Sequence, residues 1–376
     1  MRRWLARYEN LIMIAVLIGL FIAVGVYFLQ RKDMSMGVWK TDFSKSAIDM
    51  DQLIDGGMGR DGILPIDDPI FVPVADVDWL GDRSPVILLE MDDEVRAYPL
   101  AVLMRHEIVN DEIDGLPIAI TFCPLCYSPV VYERRIEGET LRLGVTGYLY
   151  KSGFIMWDDK TESWWTQFTG TAIVGEYIGQ MLPMVASQVV GYETYIERYP
   201  EGFVLVGDRN QPDMMYGRNP YINYDSSNMP FMFDGNPDDR MSSTGWVLTA
   251  VIEGQPVAYP YTLLAQDVVI NHSVDGVPVV AFWKVGAASP LDKAEIDQSR
   301  ETGMAALYSP VVDGQVLTFT HEGSTISDEQ TGSTWNIYGE AVAGPLMGTE
   351  LSYIDCSPRL WFAWAETHPD TIVYGY

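Results

Sequence analysis

One pattern limits the fold of this chain more than any other: its turn-forming residues recur. Tyr98-Pro99 returns as Tyr259-Pro260, Asn110 as Asn271, Asp114-Gly115 as Asp275-Gly276, Pro117 as Pro278 and Ser128 as Ser289, all at one offset. After a small change in length, Gly170, Ala172, Gly175, Gly179 and Leu182 return as Gly339, Ala341, Gly344, Gly348 and Leu351, and Pro200 as Pro369. Gly and Pro fix turns, and turns fix the path of a chain. The spacing therefore predicts two copies of one structural unit. The copies are not chemically equal. In the same register Cys123 corresponds to Lys284, Cys126 to Ala287, His106 to Asp267 and Glu107 to Val268. The first copy holds the chemistry and the second reads as scaffold.

The local pattern is mostly strand. Runs such as Val86-Ile87-Leu88-Leu89, Ile118-Ala119-Ile120-Thr121-Phe122 and Val277-Pro278-Val279-Val280-Ala281-Phe282 are β-rich and bounded by turn residues. Asp92-Asp93, Glu137-Gly138 and Asp313-Gly314 mark hairpins and hence antiparallel pairing. Short helices are expected at 100–105, 194–198, 263–267 and 293–298. The fold class is β-rich α+β: two internally duplicated antiparallel-sheet repeats behind an N-terminal transmembrane helix. The expected organisation is an anchor at 1–32, a loose lead-in at 33–80, repeat 1 at 81–205, a connection at 206–243 and repeat 2 at 244–376. A connection of that length with little periodicity is often functional.

The anchor is read from residues 11–29, an uncharged apolar run flanked by Arg2, Arg3 and Arg7 on one side and Arg31-Lys32 on the other. About 20 apolar residues span a bilayer. A cleaved signal peptide is the rival, but its small-residue site, Ala23-Val24-Gly25, falls inside the run. The expectation is a single-pass cell-membrane protein with an extracytoplasmic C-terminal domain. The chain carries −28 overall, and because the first 32 residues are net basic by four, the remainder carries −32. That sign argues against nucleic acid as a partner and against lying flat on anionic lipid. A protein partner is left unidentified. With three cysteines, the body rests on its core and not on disulfides.

Two of those cysteines stand in Thr121-Phe122-Cys123-Pro124-Leu125-Cys126. Thiols at this spacing form a disulfide, exchange one, or bind a soft metal. His106 precedes them by a distance that one hairpin closes, and Glu107, Asn110 and Asp111 follow it as supporting groups. A histidine that merely orders the Asn110-Asp111 turn is the plainer alternative.

Further motifs carry a resemblance. His106-Glu107-Ile108-Val109-Asn110-Asp111, Thr121-Phe122-Cys123-Pro124-Leu125-Cys126, Gly144-Val145-Thr146-Gly147, Ser163-Trp164-Trp165-Thr166-Gln167, Tyr216-Gly217-Arg218-Asn219-Pro220-Tyr221, Gly332-Ser333-Thr334-Trp335-Asn336 and Trp361-Phe362-Ala363-Trp364 resemble a bacterial and archaeal family, the domain of unknown function 3179. The resemblance covers nearly all of 50–376 and brings no settled activity. Some members are described as selenoprotein candidates, which implies redox use of the C-P-L-C position. Members also carry histidine where this chain has Cys356. Since His and Cys exchange as soft-metal ligands, the resemblance implies that Cys356 lies near Cys123 and Cys126.

Three functions follow. The first is a copper or zinc site from Cys123, Cys126, His106 and Cys356, or Met156 in its place. The second is a thiol redox pair, with Cys123 the more reactive sulfur, Cys126 its partner and His106 orienting or deprotonating. Pro129 and the β-branched residues after it read as strand, so this is no thioredoxin motif. The third is a non-enzymatic binding or assembly module, without a cofactor, whose cysteines are a structural disulfide. In that case Trp164, Trp165, Trp335, Trp361 and Trp364 line a binding face, unless they are core. Whether the protein is an enzyme stays open. No phosphate loop or G-x-S-x-G elbow is present.

Overall fold

Extended runs rich in Val, Ile, Leu and Tyr, punctuated by Asp-Gly and Glu-Gly pairs, pair into antiparallel sheets wherever the turn geometry allows. The pairs Asp114-Gly115, Glu137-Gly138, Asp275-Gly276 and Asp313-Gly314 all have positive φ at both residues. That is the geometry whose twist matches a two-residue hairpin. The computed structural model describes residues 38–91, 94–211, 216–227 and 229–376. Among the described residues the result is β-rich, with four short α-helices, Leu100–His106, Tyr192–Arg198, Tyr261–Asp267 and Trp361–Thr367. Among the described residues no helix is long and apolar enough to cross a membrane. The expected anchor at 1–32 lies outside them.

The chain passes twice through one order of elements. Strands Pro85–Met91 and Glu94–Pro99, helix Leu100–His106, and strands Ile108–Ile113, Leu116–Cys123 and Ser128–Glu133 come first. Strands Trp246–Ile252 and Gln255–Pro260, helix Tyr261–Asp267, and strands Val269–Val274, Val277–Lys284 and Met304–Ser309 repeat that order. Registers agree in detail: Val86 pairs with Pro99 and Val247 with Pro260, while Ile108 pairs with Thr121 and Val269 with Phe282. Each half closes with a strand, a helix and a second strand that runs parallel to its neighbour, through Val204 with Ala97 and Val373 with Ala258. The sheets are thus not purely antiparallel. The closing strand returns after a helical crossover, and such a return admits a parallel partner.

The closing strand and helix of each half lie over the other half. Leu360 donates its N–H to the Cys126 carbonyl, and Ser357 its hydroxyl to the Pro129 carbonyl at 2.9 Å. In return Tyr338 donates to the Thr194 carbonyl at 2.9 Å and Tyr353 to the Ser187 carbonyl at 2.8 Å. Two large cores result. One gathers Ile87, Phe122, Met156 and Trp165 with Leu360, Trp361 and Trp364. The other gathers Val190, Tyr192 and Tyr195 with Phe282, Met304 and Trp335.

Three expectations change on contact with the structure. The lead-in is packed at several points and is not loose throughout. Trp39 and Phe43 meet Trp164 edge to face, Ile54–Asp55 pairs with Tyr148 and Leu149, and Pro69–Pro73 adds a strand beside Phe203–Asp208. The helix expected at 293–298 is one 3-10 turn, Ile296–Gln298, because Lys293 N–H and Arg300 N–H are tied to Ser299 and Asp292 and close a loop there. Ser128 and Ser289 do not share a place. Cys123 pairs with Ser128 across a four-residue turn, whereas Lys284 pairs with Met304 across the excursion 285–303.

Candidate functional site

The strand Leu116–Cys123 runs out at Cys123, and Pro124 forbids its continuation. The chain reverses through Pro124-Leu125-Cys126 and re-enters the sheet at Ser128, with Tyr127 at φ 47. This turn leaves both thiols inside: Cys123 is 1% and Cys126 0% exposed, and both are free. Burial pushes the Cys123 thiol up. The nearby Cys126 thiol and the N–H groups of Cys126, Phe154 and Leu125 outweigh that and bring it below the ordinary thiol value, while the thiols themselves donate to carbonyls, Cys123 to Ser152 at 3.8 Å and Cys126 to Cys123 at 3.9 Å. Cys126 is the complement. Burial, its hydrogen bond to Cys123 and the charge there hold its thiol well above the usual value, against the pull of Arg359. Of the two sulfurs, Cys123 is thus the more acidic and Cys126 the less.

Glu107 sits beside them at the end of helix Leu100–His106, in the left-handed region at φ 58. Its carboxyl is raised well above the usual range by burial first and by Cys123 second, and its Oε2 has no hydrogen-bond partner. Arg359, 5% exposed, approaches from the closing strand of the other half. It donates to the Ser128 hydroxyl and lies over the Phe168 ring at 3.9 Å, while its Nε has no partner. Gln167 donates to Thr121 and to the Ser128 carbonyl, both at 2.8 Å. The connecting segment covers the turn, with Tyr224 donating to the Leu125 carbonyl at 2.8 Å.

The equivalent interior of the second half is apolar. Thr121 and Phe282 share a place in the hairpin register, as do Ser128 and Met304. Gln167 and Ile337 share one too: their carbonyls accept from Tyr132 and Tyr308. Arg359 and Val190 share another, opposite Val247 and Val86. Phe282, Met304, Ile337 and Val190 pack together in one core. Polar groups have replaced them around the thiols.

The other residues expected at the site are placed as follows. His106 does not turn to the sulfurs. Its Nδ1 donates to the Leu64 carbonyl at 2.7 Å, so its Nε2 accepts from Tyr216 at 2.8 Å, and burial lowers its basicity. Asn110 clamps the backbone of Leu143 and meets Asp67, as Asn271 clamps Phe319. Asp111 accepts from Arg96 at 2.6 Å and from Tyr98 at 2.7 Å. Both serve the sheet. Cys356 shares a 3.3 Å contact with the Tyr353 hydroxyl, and burial pushes its thiol up to about 11. Met156 is fully buried between Val145 and Trp165 in the sheet. Among the described residues no three His, Cys, Asp or Glu side chains come together as a metal site. The tryptophans at 164, 165, 335, 361 and 364 are core, none more than 4% exposed. Arg359 and Gln167 went unread in the sequence. The signal that marks the cysteines marks Arg359 too, since Val190 stands in its place at the second offset, whereas Gln167 falls on Asn336 there and only the structure sets it against Ile337.

A family model described as "Protein of unknown function (DUF3179)" matches residues 60–371. No curated protein and no solved structure matches.

Proposed function

The chain belongs to the DUF3179 family of proteins of unknown function, and from the geometry of its buried thiols we propose that Cys123 and Cys126 act as a dithiol–disulfide redox pair. The observation that carries this reading is the exchange of an apolar interior for a polar one around two free thiols. Buried groups without a partner cost about 1–3 kcal/mol each. Among the described residues such atoms include Glu107 Oε2, Ser152 Oγ and Gln167 Oε1 of this half and Arg359 Nε of the strand that covers it. Stability alone does not favour that replacement, and chemistry at Cys123 does. We also read the two halves as copies of one unit, of which the second lost or never acquired the site.

In this reading the Cys123 thiolate attacks a disulfide of a partner. A new S–S bond joins Cys123 to one partner sulfur, and the other leaves as thiolate. Glu107, held protonated beside Cys123, supplies the proton. Cys126 then gives up its own proton and attacks the Cys123 sulfur, releasing the second partner sulfur as a thiol. Two electrons pass to the partner, and a Cys123–Cys126 disulfide remains. Arg359 stabilises Cys126 as it ionises. Tyr221 and Tyr224 must move for the partner to enter. The apolar run at 11–29 supports placing this chemistry outside the cell membrane, where disulfide partners persist.

A second reading is monovalent copper held by the same two sulfurs, which soft thiolates suit. The site gathers no further ligands of the kind that tetrahedral zinc takes. The deciding experiment measures bound metal by elemental mass spectrometry and free thiols by titration on full-length protein, purified once oxidised and once reduced. The redox reading expects no stoichiometric metal and reversible loss of two thiols, abolished in Cys123→Ser. Stoichiometric copper that is lost in Cys123→Ser establishes the metal reading instead. A disulfide that resists reduction leaves a structural staple, and the redox proposal fails.

A further inference from the structure

Arg359 also lines a cavity of about 370 Å³ between strands Ser128–Glu133 and Trp246–Ile252 and the helix Trp361–Thr367. That volume is within the range of small-molecule sites. The walls are largely apolar, with Val130, Val131, Phe168 and Ala250 prominent. Three nitrogens of the lining residues have no hydrogen-bond partner: Arg359 Nε, Trp364 Nε1 and His368 Nδ1. Arg359 makes no ion pair to a carboxylate among the described residues. Of the groups that act on it, burial raises the Tyr132 hydroxyl and the Cys126 thiol, and only the Cys123 thiol is lowered. A guanidinium buried without a counter-ion is strongly unfavourable unless an anion joins it. At the rim Met181, Met184 and Val251 are 63%, 56% and 50% exposed, so apolar surface continues outward from the cavity.

We propose that this cavity binds an organic monocarboxylate with an apolar tail, its carboxylate drawn to the Arg359 guanidinium and its tail along Val130, Val131 and Ala250 toward Met184. Arg359 supplies the one buried positive charge, and Asp355, an exposed carboxylate among the lining residues, disfavours a dianion such as phosphate. Burial, with Arg359 and Lys151 nearby, pushes His368 down to about 4, so it adds no second charge. The Cys356 thiol in the wall is likewise neutral. The proposal does not depend on the redox chemistry of Cys123 and Cys126.

Calorimetric titration of the full-length protein with hexanoate, hexan-1-ol and inorganic phosphate tests it. Hexanoate is expected to bind about tenfold more tightly than the alcohol, the size of one charge-assisted hydrogen bond. Arg359→Met is expected to erase that difference. Should that variant not fold, Met184→Glu at the exposed rim is expected to weaken hexanoate and leave hexan-1-ol unchanged. Equal binding of acid and alcohol to the unaltered protein, or phosphate binding as tightly as hexanoate, overturns the proposal. So does unchanged hexanoate affinity in whichever variant folds.

Discussion

Glu107 and Val268 occupy the same backbone geometry, with φ of 58 and 56. Each N–H caps its helix on a leucine carbonyl, Leu103 or Leu264, and each carbonyl accepts from the facing strand, at Phe122 or Trp283. The left-handed conformation is unfavourable for a non-glycine residue. Because both halves adopt it, it belongs to the junction between helix and strand and not to the chemistry. What is particular to the first half is the carboxyl group. Burial raises it well above the ordinary glutamate value of about 4.5, so the folded protein keeps a proton that the unfolded chain releases. The folded state then binds more protons than the unfolded one at every pH between those two values. Glu107 therefore contributes a loss of stability as pH rises above about 4.5. Glu107→Gln has no proton to lose. In urea unfolding at pH 5 and pH 8, the stability of Glu107→Gln relative to the unaltered protein is expected to increase at the higher pH. Identical pH slopes for the two proteins would show that Glu107 is not held protonated.

Elements in the two halves repeat even in their loops. Asp158 accepts from Thr161 N–H and from Trp165 Nε1 at 2.9 Å, while Asp328 accepts from Thr331 N–H and from Trp335 Nε1 at 3.0 Å. A Cβ on Gly170 would meet the Tyr132 ring at 2.6 Å, and one on Gly339 the Tyr308 ring at 2.6 Å. If these carboxylates are structural, Asp158→Ala and Asp328→Ala each cost about 3 kcal/mol in denaturant unfolding, by loss of charge-assisted hydrogen bonds to buried donors. A large effect at Asp158 alone would instead tie its loop to the thiol site. Elements of this kind were legible because their cause is local: a β-branched run, an Asp-Gly turn, or a glycine repeated at fixed spacing. Three helices began within two residues of where the pattern put them, just after Pro99, Gly191 and Pro260. Helix Trp361–Thr367 was not legible. An aromatic run reads as strand or binding face, and this one turns helical where burial against the first half decides. Trp39 could not be placed either, since its partners Trp157 and Trp164 lie more than a hundred residues away. At the site, the C-P-L-C spacing revealed the thiols. Glu107, expected as a supporting group, reaches them, but Gln167 and Arg359 come from distant segments, and His106 spends both nitrogens elsewhere.

At the scale of the whole molecule the exchange of closing elements matters most. Arg359 and Trp361 serve the core of the first half, and Val190 and Tyr195 that of the second. Neither half alone contains the residues that finish its interior. A first half expressed by itself would expose the side of the thiol turn that Leu360 and Arg359 cover. It would also lose the strand that donates to the Cys126 carbonyl. Two repeats joined by a simple linker would unfold in two steps, each with its own midpoint. Reciprocal cover predicts one step. In calorimetry the full-length protein is expected to show a single transition, with calorimetric and van't Hoff enthalpies in agreement. Arg359→Met is expected to shift that whole transition and not split it. The midpoint should rise as salt is increased, because the −28 net charge repels itself and salt screens that repulsion. Two resolved transitions, with Arg359→Met moving only one, would mean that the halves are independent. The thiol site would then belong to the first repeat alone.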